Sequence, residues 1–152
     1  MGLSDNTYWE RLKILKLFSQ ERRLERYRVI YIWKSLEKLI PECGLESYVS
    51  LRRGRLVKVK PLSTQSSAKT KSIRDGSFMI NGPRLFNSLP ANIRDLTGCS
   101  VEAFKNHLDI YLSTLPDEPS CDLLQPSAVN QITGRQSNSI IDQARAAALA
   151  QP

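Results

Sequence analysis

Tyr8, Leu12, Leu15 and Phe18 recur at steps of three and four, which places them on one face of a helix, and Thr7 stands where its hydroxyl can cap the first turn. Ser19 offers a second N-cap, with Glu21 in the turn that follows, where the helix macrodipole favours negative charge. From there the pattern predicts one long helix over residues 20–40, stopped by Pro41. Its first half is charged, and repulsion between Glu21 and Glu25 is eased by Arg22, Arg26 and Arg28. Its second half, residues 27–33, is apolar on nearly every side and predicts a buried helix with Tyr27, Tyr31 and Trp33 in the core. A strand reading of residues 29–33 fails against the helix formers on both sides.

Beyond Gly44 the period shortens towards two. Arg55, Val57 and Val59 alternate with Leu56, Lys58 and Lys60 as a short exposed strand ending at Pro61. The Ser/Thr-rich residues 64–70 read as a loop, and residues 73–80, with Phe78 and Ile80 on one face, as the returning strand of a hairpin. Asn81-Gly82-Pro83 reads as a turn, with Pro83 opening a short helix through Leu85, Phe86 and Leu89 that Pro90 breaks. The clearest element is a helix capped by Ser100, whose stripe of Val101, Phe104, Leu108, Tyr111, Leu112 and Leu115 ends at Pro116. Burial stabilises such a stripe by roughly 1.5–3 kcal/mol per large side chain, so this helix is expected to dock against residues 27–33.

After Pro119 the chain turns to Ser, Asn, Gln and Pro with few large apolar groups, the composition of a largely disordered tail. The Ala-rich residues 140–150 can form a helix, but an isolated one of that length is marginal. The expected fold is mainly α with a small β-hairpin (α+β): a helical bundle-like body over residues 1–118 and a tail over 119–152.

The charge is unevenly placed. Of 22 Lys and Arg against 15 Asp and Glu, a net +7, residues 1–74 hold 17 basic and 7 acidic side chains. Arg52, Arg53, Arg55, Lys58, Lys60, Lys69, Lys71 and Arg74 follow one another without an intervening carboxylate. Such a run attracts phosphate by counterion release, a salt-sensitive and sequence-tolerant force. Together with Arg22, Arg23 and Arg26 on the long helix, these residues are the candidate contacts to an RNA or DNA backbone. Tyr48 is the freest nearby aromatic, and Arg84 and Arg94 serve equally well as caps of helix carbonyls or as phosphate contacts.

Catalytic patterns are missing. No Asp-Asp pair is present to hold Mg²⁺; Asp75, Asp95, Glu102 and Asp109 occur singly. Gly54, Gly82 and Gly98 build no phosphate-cradling loop. The lone His107 has no Gly-x-Ser-x-Gly elbow to serve, and a surface or packing role suits it. Cys43, Cys99 and Cys121 are too widely spaced for a metal site or a disulfide framework. Neither a metal nor any other cofactor is expected. The chain has no apolar run long enough for a membrane span and no secretory start, so no membrane partner is expected and the setting is intracellular, nuclear or cytoplasmic.

Several blocks, in order, carry a resemblance. Thr7-Tyr8-Trp9-Glu10-Arg11-Leu12-Lys13, Leu17-Phe18-Ser19 and residues 21–27 are followed by Ile30-Tyr31-Ile32-Trp33-Lys34. Gly82-Pro83-Arg84-Leu85-Phe86-Asn87-Ser88-Leu89-Pro90 comes next, then residues 100–105 running to Leu115-Pro116-Asp117-Glu118-Pro119, then Asn138-Ser139-Ile140-Ile141-Asp142-Gln143. Together these resemble the region just beyond the polymerase core in reverse transcriptases of jockey-like non-long-terminal-repeat retrotransposons. The resemblance implies a non-catalytic C-terminal fragment of an RNA-directed DNA polymerase. It would be a thumb-adjacent helical region meeting RNA or DNA, with an endonuclease and the polymerase domain upstream as its partner in the parent protein. The parent's catalytic aspartates map to no position here, and the three cysteines and His107 do not match the zinc knuckle of related elements. The alternative is a structural or protein-interaction remnant without independent activity.

Overall fold

The structure, a computed structural model, describes residues 5–41, 44–59, 73, 77–118 and 139–149. In chain order its elements are α1 (Tyr8–Leu15), α2 (Gln20–Leu36), β1 (Leu45–Ser50), β2 (Gly54–Val59), α3 (Phe78–Ser88), α4 (Ala91–Arg94), α5 (Val101–Ser113) and α6 (Ile140–Leu149). The architecture is mainly helical with one two-stranded antiparallel hairpin.

Local chemistry sets the helix starts. Thr7 and Glu10 form a capping box on α1, the Thr7 side chain accepting from the Glu10 N–H and the Glu10 carboxylate accepting from the Thr7 N–H. Ser19 accepts from the Arg22 N–H and Ser100 from the Ala103 N–H. Helix α2 ends at Leu36, short of the predicted residue 40: Lys38 turns left-handed at φ 58°, and the Lys38 and Leu39 N–H groups fold back onto the Ser35 and Lys34 carbonyls.

One core joins α2, α3, α4, α5, the hairpin and the first residue of α6. Trp33, buried completely, stacks on Phe104 with ring centroids 4.4 Å apart and planes at 9°, and its indole N–H donates to the Leu96 carbonyl at 2.7 Å. Phe104, Leu108 and Leu112 form the buried stripe of α5, as their spacing predicts. Helix α3 crosses α2 at Gly82, where an added Cβ would come within 2.9 Å of Ile32 Cδ1.

Three predictions about local structure are corrected. Tyr27 and Tyr31 are 60% and 44% exposed, because the apolar run of α2 splits into a buried face of Val29, Ile30, Ile32 and Trp33 and an outward face that keeps the tyrosines. The partner of β2 is β1, with Tyr48 opposite Leu56 and Glu46 opposite Lys58, not residues 73–80. A three-residue connection ending at Gly54 (φ 64°) closes this local pairing at little entropic cost, and Phe78–Ile80 instead begin α3 behind Ser77. Finally, Asn81-Gly82-Pro83 is no turn: α3 runs through it. Pro83 removes one helix hydrogen bond, which burial of Gly82 and Pro83 against the core offsets.

The outer edge of β2 is closed by side chains. Asn87 of α3 accepts from the Val57 N–H at 2.8 Å and donates to the Val57 carbonyl at 3.1 Å, copying the bonds of a third strand. Asp95 accepts from the Arg55 N–H at 2.7 Å, and Arg94 donates to the Arg55 carbonyl at 3.3 Å. Asn87→Ala is expected to destabilise the fold by about 1–3 kcal/mol, because it strands both polar groups of the buried Val57. A lower denaturant midpoint at unchanged slope in urea unfolding checks this.

Residues 119–138 of the predicted tail lie outside the described residues. Beyond them α6 packs on α3, and Ile140 is completely buried. Tertiary burial thus carries a helix that would be marginal alone.

Candidate nucleic-acid interface

The candidate cations fall into three groups. Arg22, Arg26 and Arg55 are taken up by the fold itself. Arg22, 1% exposed in the first turn of α2, donates to Glu25 Oε2 at 3.2 Å and to the Pro116 carbonyl at 3.1 Å, and its Nε lies 3.7 Å from Asp117 Oδ1. Arg26 grips Asp109 of α5 through Nε and Nη2 at 2.5 and 2.7 Å, a bidentate pair that raises its pKa above the ordinary guanidinium value. Arg55 donates to Glu37 Oε1 at 2.9 Å, and Glu37 also accepts from the Gly98 N–H. These three arginines are therefore corrected from phosphate contacts to internal ties. Glu25 lies three positions from Arg22, but the other partners, 18, 83 and 95 positions away, are hidden by sequence order.

Arg23, Arg52, Arg53 and Lys58 are exposed. Arg52 and Arg53 occupy the connection between the strands, and Lys58 Nζ sits 4.3 Å above the Tyr48 ring. Lys60, Lys69, Lys71 and Arg74 lie outside the described residues. The run that is free of carboxylates in sequence is not so in space: Glu46 stands opposite Lys58, Glu37 holds Arg55, and Asp95 sits beside Gly54. Among the described residues of the run, Arg52 and Arg53 remain as the uncompensated tip.

No family model, curated protein or solved structure matches the chain. The hairpin is presented rigidly, since Asn87, Arg94 and Asp95 fasten β2 to the body. Arg94 is buried, which holds its pKa below the ordinary guanidinium value, and its bond to the Arg55 carbonyl makes it a strand tie. Arg84 is exposed on α3, as is His107 on α5. Among the described residues no cluster of His, Cys, Asp and Glu could hold a metal, and no helix is long and apolar enough to cross a membrane.

A second polar centre escaped the sequence reading. Asp117 accepts from the Ser19 N–H at 2.5 Å and the Ser19 hydroxyl at 2.7 Å, while Gln143 donates to the Pro116 carbonyl at 2.6 Å. Glu25 accepts from the Ile140 N–H at 3.2 Å. With Arg22 these groups knot the start of α2, the exit of α5 and the start of α6, beside a polar cleft of about 400 Å³. Burial pushes the Glu25 carboxyl above its ordinary 4.5, against the opposing pull of Ser139, the Ile140 N–H and Arg22. A carboxyl raised on folding binds its proton more tightly in the native state. Its contribution to stability is therefore fully present below 4.5 and fades as pH climbs through the higher native value. Carbon-13 titration of Glu25 is expected to give a midpoint above the ordinary 4.5, and Glu25→Gln to remove this limb of the stability–pH curve.

Proposed function

We propose that this chain is the non-catalytic region that follows the polymerase core of a jockey-like non-long-terminal-repeat reverse transcriptase, and that it holds an RNA or DNA backbone through its exposed cations. The observation that carries the reading is the tip of the hairpin. Arg52 and Arg53 stand out in solvent at the tip of a hairpin whose β2 edge, on the side away from β1, is fixed by Asn87, Asp95 and Arg94. Guanidinium groups suit phosphate because both their charge and their fork geometry match it. Of the residues in the blocks that carry the resemblance, Trp33, Leu85, Phe86, Leu89, Phe104 and Ile140 lie in the core and Asp117 and Gln143 in the polar knot, while Tyr8, Arg23, Tyr31 and Arg84 are exposed.

Electrophoretic mobility shift with single-stranded RNA and duplex DNA at two salt concentrations tests the proposal. Affinity is expected to fall steeply with salt. Replacing Arg52→Gln and Arg53→Gln should make the dependence of log K on log salt shallower by about one for each phosphate that the chain no longer neutralises. No binding at low salt would instead favour a protein-interaction or structural remnant. One observation speaks for that second reading: α1 buries no residue, and Tyr8, Ile14, Leu15 and Leu17 are each about half exposed. That apolar surface is the place where an upstream polymerase domain would pack.

A further inference from the structure

The outward face of α2 combines aromatic rings with positive charge. Residues 20, 23, 24, 27, 31 and 34 follow one another at helical steps on the side turned away from the core, bringing Arg23, Leu24, Tyr27, Tyr31 and Lys34 together, with Arg28 on the flank. Tyr27 and Tyr31, one turn apart, are 60% and 44% exposed. With Leu24, Arg28, Phe78 and Met79 they line an open groove of about 400 Å³, in which Arg28 is the one charged residue among those described. Phe78 meets Tyr31 edge to face at 5.0 Å, which braces that ring from α3. The Arg26 guanidinium lies 5.8 Å from the centre of the Tyr27 ring.

We propose that this face is a stacking platform for unpaired bases of a single-stranded nucleic acid, with Tyr27 and Tyr31 under the bases and Arg23, Arg28 and Lys34 beside the backbone. The inference rests on the nucleic-acid reading above and extends it from phosphate to base. Apolar rings with a cationic rim are what a single strand offers partners for: π-faces and a phosphate chain. A duplex keeps its bases stacked on one another and cannot bring them to the rings. A protein helix docking here would want carboxylates against the three cations. The spacing along the axis is about 6 Å, which lets one flexible strand set a base on each ring. The platform also explains why tyrosine, with its polar tip, occupies positions that the apolar run alone would assign to the core.

The test uses the full chain and a short single-stranded RNA carrying 2-aminopurine, with a duplex of equal length as control. The chain is expected to bind the single strand more tightly than the duplex and to quench 2-aminopurine fluorescence. Tyr27→Ala, at the more exposed ring, should weaken single-strand binding by about 5- to 150-fold and abolish quenching while leaving duplex binding unchanged. Tyr27→Phe, which keeps the ring, should behave as the parent chain, and Tyr31→Phe likewise. Equal affinity for both nucleic acids, with Tyr27→Ala silent, overturns the platform and leaves backbone gripping by Arg52 and Arg53 standing. Failure to bind either nucleic acid at low salt overturns both readings. A dimer in sedimentation that Tyr27→Ala dissociates would assign the face to a second copy of the chain and likewise overturn the platform.

Discussion

Trp33→Ala is expected to destabilise the fold by about 3–5 kcal/mol, a large share of the roughly 5–15 kcal/mol that keeps a domain folded. Three losses coincide at this residue. The side chain is completely buried, so its removal opens a cavity at the centre of the core, where α2, α5 and the segment after α4 converge. The stacking against Phe104 disappears, and Phe104 is itself fully buried. The Leu96 carbonyl loses the indole N–H that satisfies it. Trp33→Phe retains most of the volume and the stacking but not that hydrogen bond, so it should cost distinctly less. Urea unfolding followed by circular dichroism separates the two. A loss for Trp33→Ala below about 1 kcal/mol would mean that the surrounding elements collapse into the gap instead of holding their positions.

Arg22→Ala should cost a comparable amount, about 3–5 kcal/mol, for an electrostatic reason. The guanidinium sits at 1% exposure between Glu25 and Asp117 and also holds the Pro116 carbonyl. Its removal leaves two carboxylates facing each other with reduced access to water, and Glu25 already resists ionisation through its burial. Arg22→Met restores apolar volume without the charge and should recover only the packing share of the loss. Because the ties are shielded from solvent, the effect should change little between low and moderate ionic strength, unlike that of an exposed pair such as Lys13 with Glu118. Chemical denaturation at two salt concentrations checks both points.

Much of the helical frame was legible because its signals are local. Thr7, Ser19 and Ser100 cap where their positions say they should, and the Phe104, Leu108 and Leu112 stripe is self-evident in its spacing. The hairpin was half legible. Strand β2 alternates, but β1 buries only Leu45 among its six residues, so Glu46, Ser47, Tyr48 and Val49 give no period to follow. Pro83 misled because a proline usually opens a helix, and here the close approach that Gly82 allows outweighs the missing hydrogen bond. Charge was read least well. Whether an arginine is a surface cation or a buried tie depends on carboxylates far along the chain, as Asp109 is for Arg26 and Asp117 for Arg22. The same blindness put Tyr27 and Tyr31 in the core: a run such as 27–33 shows how much apolar surface a helix has but not how much its neighbours cover.

The knot among Ser19, Arg22, Glu25, Asp117 and Ile140 bears on how the molecule is made. The bond between Glu25 and the Ile140 N–H spans 115 positions, so α2 is synthesised well before the segment that completes its packing. Pairings of such range are slow to close, and during translation α2 remains without its final buttress until residue 140 has left the ribosome. The nascent intermediate therefore shows solvent the pocket that Ile140 later fills, and chaperones that bind apolar surface have their opening in that interval.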